Sequence, residues 1–321
     1  MIYLQLLGGL VLLVLGGDAL VRGAVAVARR FGVSPLLIGL TLVGFGTSTP
    51  ELVTSLQAAF LGSPGIAIGN VIGSNTANIL LILGVAAVIF PVATARDALL
   101  RDGGAVLFAA LAAVAIVLHG ELFRSAGAIL VVLLLAYVLY SYLRERRSGG
   151  AAAAMHEGEV EIAEPGPKGL PLALLFAFGG IALTILGADL LVKGAIHLAS
   201  AAGISETLLG LTIVAVGTSL PELVTSVAAA LRRHGDIAFG NVLGSNIYNV
   251  LGILGVTALV KPIPVPVEIA GFDVWVMLGA TLLLLVFAAT GQRISRWEGA
   301  ALLAGYGAYL AVLAILAPAA A

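Results

Sequence analysis

Residues 39–55 read GLTLVGFGTSTPELVTS, and residues 210–226 read GLTIVAVGTSLPELVTS, with 13 of 17 positions identical. A second pair follows. Residues 69–84 read GNVIGSNTANILLILG and residues 240–255 read GNVLGSNIYNVLGILG, with 11 of 16 identical. Both blocks recur at one offset, 171 residues (222 − 51 and 245 − 74). The same offset carries Asp18 onto Asp189, Arg22 onto Lys193 and Gly32 onto Gly203. Self-similarity at a fixed period marks a duplicated structural unit.

The chain around these blocks is built for lipid. Of 321 residues, 60% are hydrophobic and only 10% are charged, and the mean hydropathy is +1.14. Soluble domains run about 45–50% apolar and about 25% charged. A spanning helix needs roughly 20 mostly apolar residues. Ten such runs are predicted: 2–28, 34–61, 65–91, 103–119, 125–143, 170–197, 205–231, 237–260, 272–290 and 298–317. They are long and continuous rather than short and alternating, so helices are expected instead of barrel strands. The expected fold is therefore all-α and polytopic, with a first five-span half over 1–143, a linker over 144–169 and a second half over 170–321. Five is odd, so the second unit enters the membrane from the opposite side. Inverted repeats of this kind place substrate at their interface near the bilayer midplane, on broken helices.

Charge orients the spans. Twelve Lys and Arg fall in connections after odd-numbered spans and two, Arg124 and Lys261, in the opposite ones. The positive-inside rule puts the odd connections in the cytoplasm and both termini outside. The linker holds Glu157, Glu159, Glu161 and Glu164 without the ligand spacing of an EF-hand, and reads as a solvated spacer. No cleavable signal peptide is expected at the N-terminus. The formal net charge of −1 argues against a nucleic-acid partner. The absence of cysteine removes disulfides, iron–sulfur clusters and thiolate zinc sites. No nucleophile–base pair or phosphate loop appears, so a transporter is expected rather than an enzyme.

Glu51 and Glu222 fall near the middle of spans 2 and 7, and no Asp, Glu, Lys or Arg occurs between residues 52 and 95. A charge at the bilayer centre costs at least about 2.5–3.5 kcal/mol. With no Lys or Arg at that depth, a bound cation is the natural partner. Pro50 and Pro221 lack an N–H and disturb the carbonyls of Gly46 and Gly217, so both helices should break just before the acids. A proline in a membrane helix is often only a kink, but a break here would bare carbonyl oxygens, tolerated where they line a cavity. Thr47 and Ser48 share a helical face with Glu51, as Thr218 and Ser219 do with Glu222. Asn70, Ser74 and Asn78 form a polar stripe on span 3, repeated by Asn241, Ser245 and Asn249 on span 8. Such stripes also serve as interhelical glue. Every donor offered is oxygen, which suits Ca²⁺ and Na⁺. Asp18/Arg22 and Asp189/Lys193 read as local ion pairs near helix ends. Thr41 and Thr212 read as packing residues.

At GTSxPEL and GSNxxN, each present twice, the sequence resembles the cation/Ca²⁺ exchanger superfamily, and within it the prokaryotic sodium/calcium exchangers. The resemblance implies ten helices with spans 2, 3, 7 and 8 around the site, in the cell membrane. It implies Glu51 and Glu222 as central Ca²⁺ ligands, with Thr47 and Thr218 lending oxygens. It assigns Ser48, Ser219, Ser74 and Ser245, with backbone oxygens of Gly44 and Ala215, to flanking Na⁺ sites, and Asn78 and Asn249 to the centre. Some relatives carry aspartate where Asn249 stands; asparagine fits those that do not use K⁺. The implied activity is antiport of Na⁺ against Ca²⁺ by alternating access, usually three Na⁺ for one Ca²⁺, with spans 1 and 6 sliding past the core. A proton-coupled Ca²⁺ antiporter is the alternative, and a cation channel a more distant one. No cofactor is expected, the bilayer is the surrounding partner, and a monomer should suffice. Protons should compete for the two carboxylates, so transport is expected to fall in acid.

Overall fold

The structure is a computed structural model; it describes residues 1–34, 37–94, 96, 99–148 and 166–316. The four linker glutamates lie outside the described residues. Among the described residues, eight helices are long and apolar enough to cross a membrane: Ile2–Arg30, Pro64–Ile89, Leu99–His119, Arg124–Arg144, Leu170–Ala202, Gly235–Val260, Ile269–Ala289 and Arg296–Leu316. They match spans 1, 3, 4, 5, 6, 8, 9 and 10 of the sequence reading. Span 7 is a pair, Glu206–Thr218 and Leu220–Leu231, bent by 47° at its break. Span 2 consists of Ile38–Val43, Gly44–Gly46 and Thr49–Leu61, the pieces that the 171-residue offset maps onto span 7.

Two short strand pairs show that the bent span passes right through. Val92–Ala93, after span 3, pairs with Arg293–Ile294, after span 9. Glu121–Leu122, after span 4, pairs with Ile263–Pro264, after span 8. Each pair lies on one side of the membrane, so an even number of crossings separates its strands. That holds only if span 7 counts as a full crossing. Spans 1 and 6 give the same answer for span 2. They pack antiparallel, with Gly9 against Gly187 and Leu191 and Gly23 against Ala173 and Ala177. Opposite directions for spans 1 and 6 require five crossings per half. The fold is thus ten helices in two inverted halves, with all odd connections on one side.

Local chemistry sets the helix ends. Gly62 and Gly203 stop spans 2 and 6 in the left-handed conformation, at φ 79° and 66°, which glycine adopts without a Cβ penalty. Pro64 starts span 3 where a missing N–H costs nothing, and Ser205 Oγ caps span 7 by accepting from Leu208 N–H. In lipid, apolar helices gain little from mutual burial, so close backbone packing holds them together. Spans 1 and 6 show it most plainly: a Cβ on Gly9 would stand 2.6 Å from Leu191 N, and one on Gly16 2.6 Å from Thr184 N.

Spans 3 and 8 form the centre, with 78% of each apolar window buried, against 33% for span 1 and 22% for span 6. Gly84 of span 3 packs on Gly299 of span 10, and Gly255 of span 8 on Gly127 of span 5. Each half therefore grips the other. Two features go beyond the sequence reading. Spans 3 and 8 change to π-helix at Asn78–Leu83 and Asn249–Leu254, and the connections pair as strands. An extra residue in a helical turn re-aims the side chains beside it, as π-turns commonly do at functional sites.

Candidate cation site

The break in span 2 falls at Thr47 and Ser48, and that in span 7 at Ser219; Ser48 and Ser219 hold φ, ψ near −87°, 9° and −83°, 10°. The following helices begin at Thr49 and Leu220, with a proline in the first turn of each. Glu51 and Glu222 therefore sit in the first turn of a helix, where the unpaired N–H groups and the helix dipole favour negative charge. Both are fully buried.

The halves hold each other's acids. Ser48 Oγ donates to Glu222 Oε1 at 2.8 Å, and Ser219 Oγ donates to Glu51 Oε1 at 2.9 Å. Each serine lies three residues before the glutamate of its own half, so this exchange brings the two carboxylates to one place. Ser245 Oγ also reaches Glu222 Oε1, at 3.4 Å. Asn70 and Asn241 are braces: each donates to the backbone oxygen of the glutamate, Glu51 or Glu222, and to Ser55 or Ser226.

What is left over defines the chemistry. Among the described residues, Glu51 Oε2, Glu222 Oε2, Thr47 Oγ1, Asn78 Oδ1 and Asn249 Oδ1 are buried without a hydrogen-bond partner. A buried acceptor without a donor is costly, and two of these acceptors belong to fully buried carboxylates. The set is all oxygen with two negative charges, as a hard ion prefers. No group of three or more His, Cys, Asp or Glu occurs among the described residues.

The other expected residues surround this cage. Thr218 Oγ1 donates to Asn70 Oδ1 at 2.9 Å and to Ala215 O at 3.2 Å. Ala215 O also accepts from Ser74 Oγ at 3.3 Å and Ser219 N–H at 3.1 Å. Gly44 opens the short helix Gly44–Gly46 that leads into the span 2 break. Asp18/Arg22 and Asp189/Lys193 are ion pairs at 2.8 Å, as expected, but they stand inside helices Ile2–Arg30 and Leu170–Ala202 rather than near their ends, and Gln57 adds a hydrogen bond to Asp189. Thr41 and Thr212 bond back to Leu37 O and Leu208 O, which suits packing.

Some polar residues escaped the sequence reading. Asn75 and Asn246, the unread asparagines of the two GSN triplets, are buried beside the cage. Asp102 and Asp273, again 171 residues apart, are buried at the starts of spans 4 and 9. They accept hydrogen bonds from Tyr137 and Tyr309 on spans 5 and 10. Their shared offset is the signal that would have found them.

Two inverted five-span units whose broken helices meet at a buried carboxylate cage define an inverted-repeat membrane transporter. The family model for sodium/calcium exchanger protein matches residues 1–143 and 172–315. The chain belongs to that family, within the cation/Ca²⁺ exchanger superfamily. It is 38% identical to the sodium/calcium exchanger MaX1 of Methanosarcina acetivorans, over 97% of this chain and 98% of that one. It is 36% identical to the putative antiporter CaxA of Alkalimonas amylolytica, over 94% of this chain and 95% of the other. Among solved structures it resembles the sodium-calcium exchanger NCX_Mj soaked with Na⁺ and Ca²⁺, with a TM-score of 0.66, 34% identity and 96% of each chain covered.

Proposed function

We propose that this chain exchanges Na⁺ for Ca²⁺ across the cell membrane, with Glu51 and Glu222 as the shared ligands of both ions. The observation that carries the reading is the cage itself. Two fully buried carboxylates, each with one oxygen anchored by a serine of the opposite half, leave their other oxygens unpartnered, as are Thr47 Oγ1, Asn78 Oδ1 and Asn249 Oδ1. Two negative charges repel strongly at low dielectric. One Ca²⁺ cancels them, and so do several Na⁺ ions. Occupancy by one excludes the other, which couples the two fluxes.

Thr218, Ser74, Ser245 and the backbone oxygens of Gly44 and Ala215 line the approach to the cage and complete the flanking Na⁺ positions. The hydroxyls now bonded to Ala215 O and Glu222 Oε1 turn aside when an ion takes those oxygens. The charge bias of the connections puts the odd ones, and the linker, in the cytoplasm. The single chain holds the whole cage, so a monomer is sufficient.

The test is ⁴⁵Ca²⁺ uptake into proteoliposomes. An outward Na⁺ gradient is expected to drive uptake, and a pH gradient without Na⁺ is expected not to. Glu51→Gln and Glu222→Gln should each lower uptake by about two orders of magnitude, since each leaves a buried Ca²⁺ with only one of the two negative charges that would balance it. Uptake driven by the pH gradient alone would identify proton coupling. Flux independent of any counter-ion would identify a channel. Normal transport in both Gln variants would remove the cage as the site.

A further inference from the structure

The two halves of the cage are hydrogen-bonded differently, although their sequences nearly coincide. Asn246 Oδ1 accepts from Asn78 Nδ2 at 3.0 Å, and Asn246 Nδ2 donates to the backbone oxygen of Asn75 at 3.3 Å. Asn75 is the repeat counterpart of Asn246, and Asn249 that of Asn78. The mirror-image bonds would run from Asn249 Nδ2 to Asn75 Oδ1, and from Asn75 Nδ2 to the backbone oxygen of Asn246. Neither is made. Both amide atoms of Asn75 and both of Asn249 lack a partner among the described residues, while the two side chains are 2% and 0% exposed. The Asn75 amide faces a small cavity shared with Asn246 and Thr281.

This asymmetry bears on the cage. Asn246 holds the nitrogen of Asn78, so the Asn78 oxygen is turned the other way and stays unpartnered, ready for a cation. Nothing fixes the amide of Asn249 in the same sense.

The backbone is one-sided in the same direction. The leg of span 7 before its break, Glu206–Thr218, lies tight against span 3: a Cβ on Gly73 would stand 2.6 Å from Leu211 O and 2.8 Å from the Ala215 Cβ. The repeat counterpart, Gly244 on span 8, would meet nothing within 4 Å among the described residues. The leg of span 2, Ile38–Gly46, leaves Gly244 uncovered and meets span 8 through the stack of Phe45 on Tyr248, at a centroid distance of 4.4 Å. One leg is docked and the other is not. In an inverted repeat the halves trade such arrangements when the transporter changes the side it faces.

We propose that Asn75 and Asn246 are positioning residues that alternate. With the span 7 leg docked, Asn246 holds Asn78 so that its oxygen faces the cage. In the opposite-facing conformation the span 2 leg docks on span 8, and Asn75 holds Asn249 in the same way. Each conformation leaves one asparagine pair unsatisfied, and that unsatisfied pair favours return to the other. The proposal rests on the reading of Asn78 and Asn249 as cation ligands, but its test does not depend on transport.

The test is amide hydrogen exchange, followed by mass spectrometry, on the purified full chain in nanodiscs. Asn246→Ala removes the bonds made here. It is expected to raise exchange over residues 206–218 and lower it over 38–46, each by about tenfold. Asn75→Ala removes only atoms that are unpartnered in this structure, so it should fold normally and shift exchange the opposite way. Shifts in the same direction, or an Asn75→Ala chain that matches wild type, would overturn the alternation. Should Asn246→Ala fail to fold, protection of 206–218 in Asn75→Ala decides alone. Opposite shifts in a chain whose exchange is indifferent to added Ca²⁺ would support the relay and count against the cation reading.

Discussion

Gly73 and Gly244 stand at the same place in two nearly identical segments and meet different surroundings. The first is buried against the backbone of span 7; the second faces open space. Thr218 and Thr47 repeat the contrast, one bonded to Asn70 and the other unpartnered. Near-identical sequences in unlike conformations are what alternating access asks of a duplicated chain. Each segment must fit both the docked and the open arrangement, so neither can be optimised for one. The serines that anchor the two carboxylates are the exception: those bonds are made in both halves at once. The two anchored carboxylates are thus the symmetric part of the site, and the asparagines and legs around them carry the asymmetry.

The sharpest way to break this comparison is at the glycines. Gly73→Ala forces the span 7 leg away and is expected to lower stability by about 1–3 kcal/mol, read as earlier thermal unfolding in detergent. Gly244→Ala should unfold like wild type yet exchange Ca²⁺ far more slowly, because its methyl stands where the span 2 leg must dock. Equal stability of the two variants, or wild-type flux in Gly244→Ala, would show that the legs do not trade places. The threonines give a smaller effect. Thr218→Ala should cost about 1 kcal/mol for its lost buried bond, whereas Thr47→Ala should leave stability unchanged and weaken Ca²⁺ binding several-fold, as isothermal titration would report. The smallest difference is expected at the ion pairs. Asp18→Asn should change stability by well under about 1 kcal/mol, and Asp189→Asn by slightly more, because Asp189 also accepts from Gln57. A larger loss at Asp18 would place that pair in the switching part of the molecule.

The sequence disclosed the symmetric features and hid the asymmetric ones. The 171-residue offset, the ten apolar runs and the Glu51/Glu222 pair are written in residue identities, and an odd number of spans per half dictates inversion. The breaks were legible too, since Pro50 and Pro221 forbid a continuous helix. The leg contacts turn on few positions: Phe45 and Tyr248, which stack, have Val216 and Ala77 as their repeat counterparts. Asn75 and Asn246 were passed over because they lie one position off the Asn70, Ser74, Asn78 stripe and its repeat. The π-turns that begin at Asn78 and Asn249 shift the register there by a residue, and no propensity announces them. The strand pairs at Val92 and Glu121 are two residues long and form only because distant connections meet. Asp102 and Asp273 were overlooked because a charge beside a span end looks like an ordinary membrane boundary.

Those two short ribbons also constrain how the molecule can work. On each face of the bilayer, a connection of one half is stitched to a connection of the other: the one after span 3 to the one after span 9, the one after span 4 to the one after span 8. Spans 3, 4, 5, 8, 9 and 10 are thereby laced into a frame at top and bottom, and no ribbon reaches spans 1, 2, 6 or 7 among the described residues. A hinge through the middle of the frame would tear a ribbon. Outside that frame stand the glycine-locked pair of spans 1 and 6 and the two broken spans.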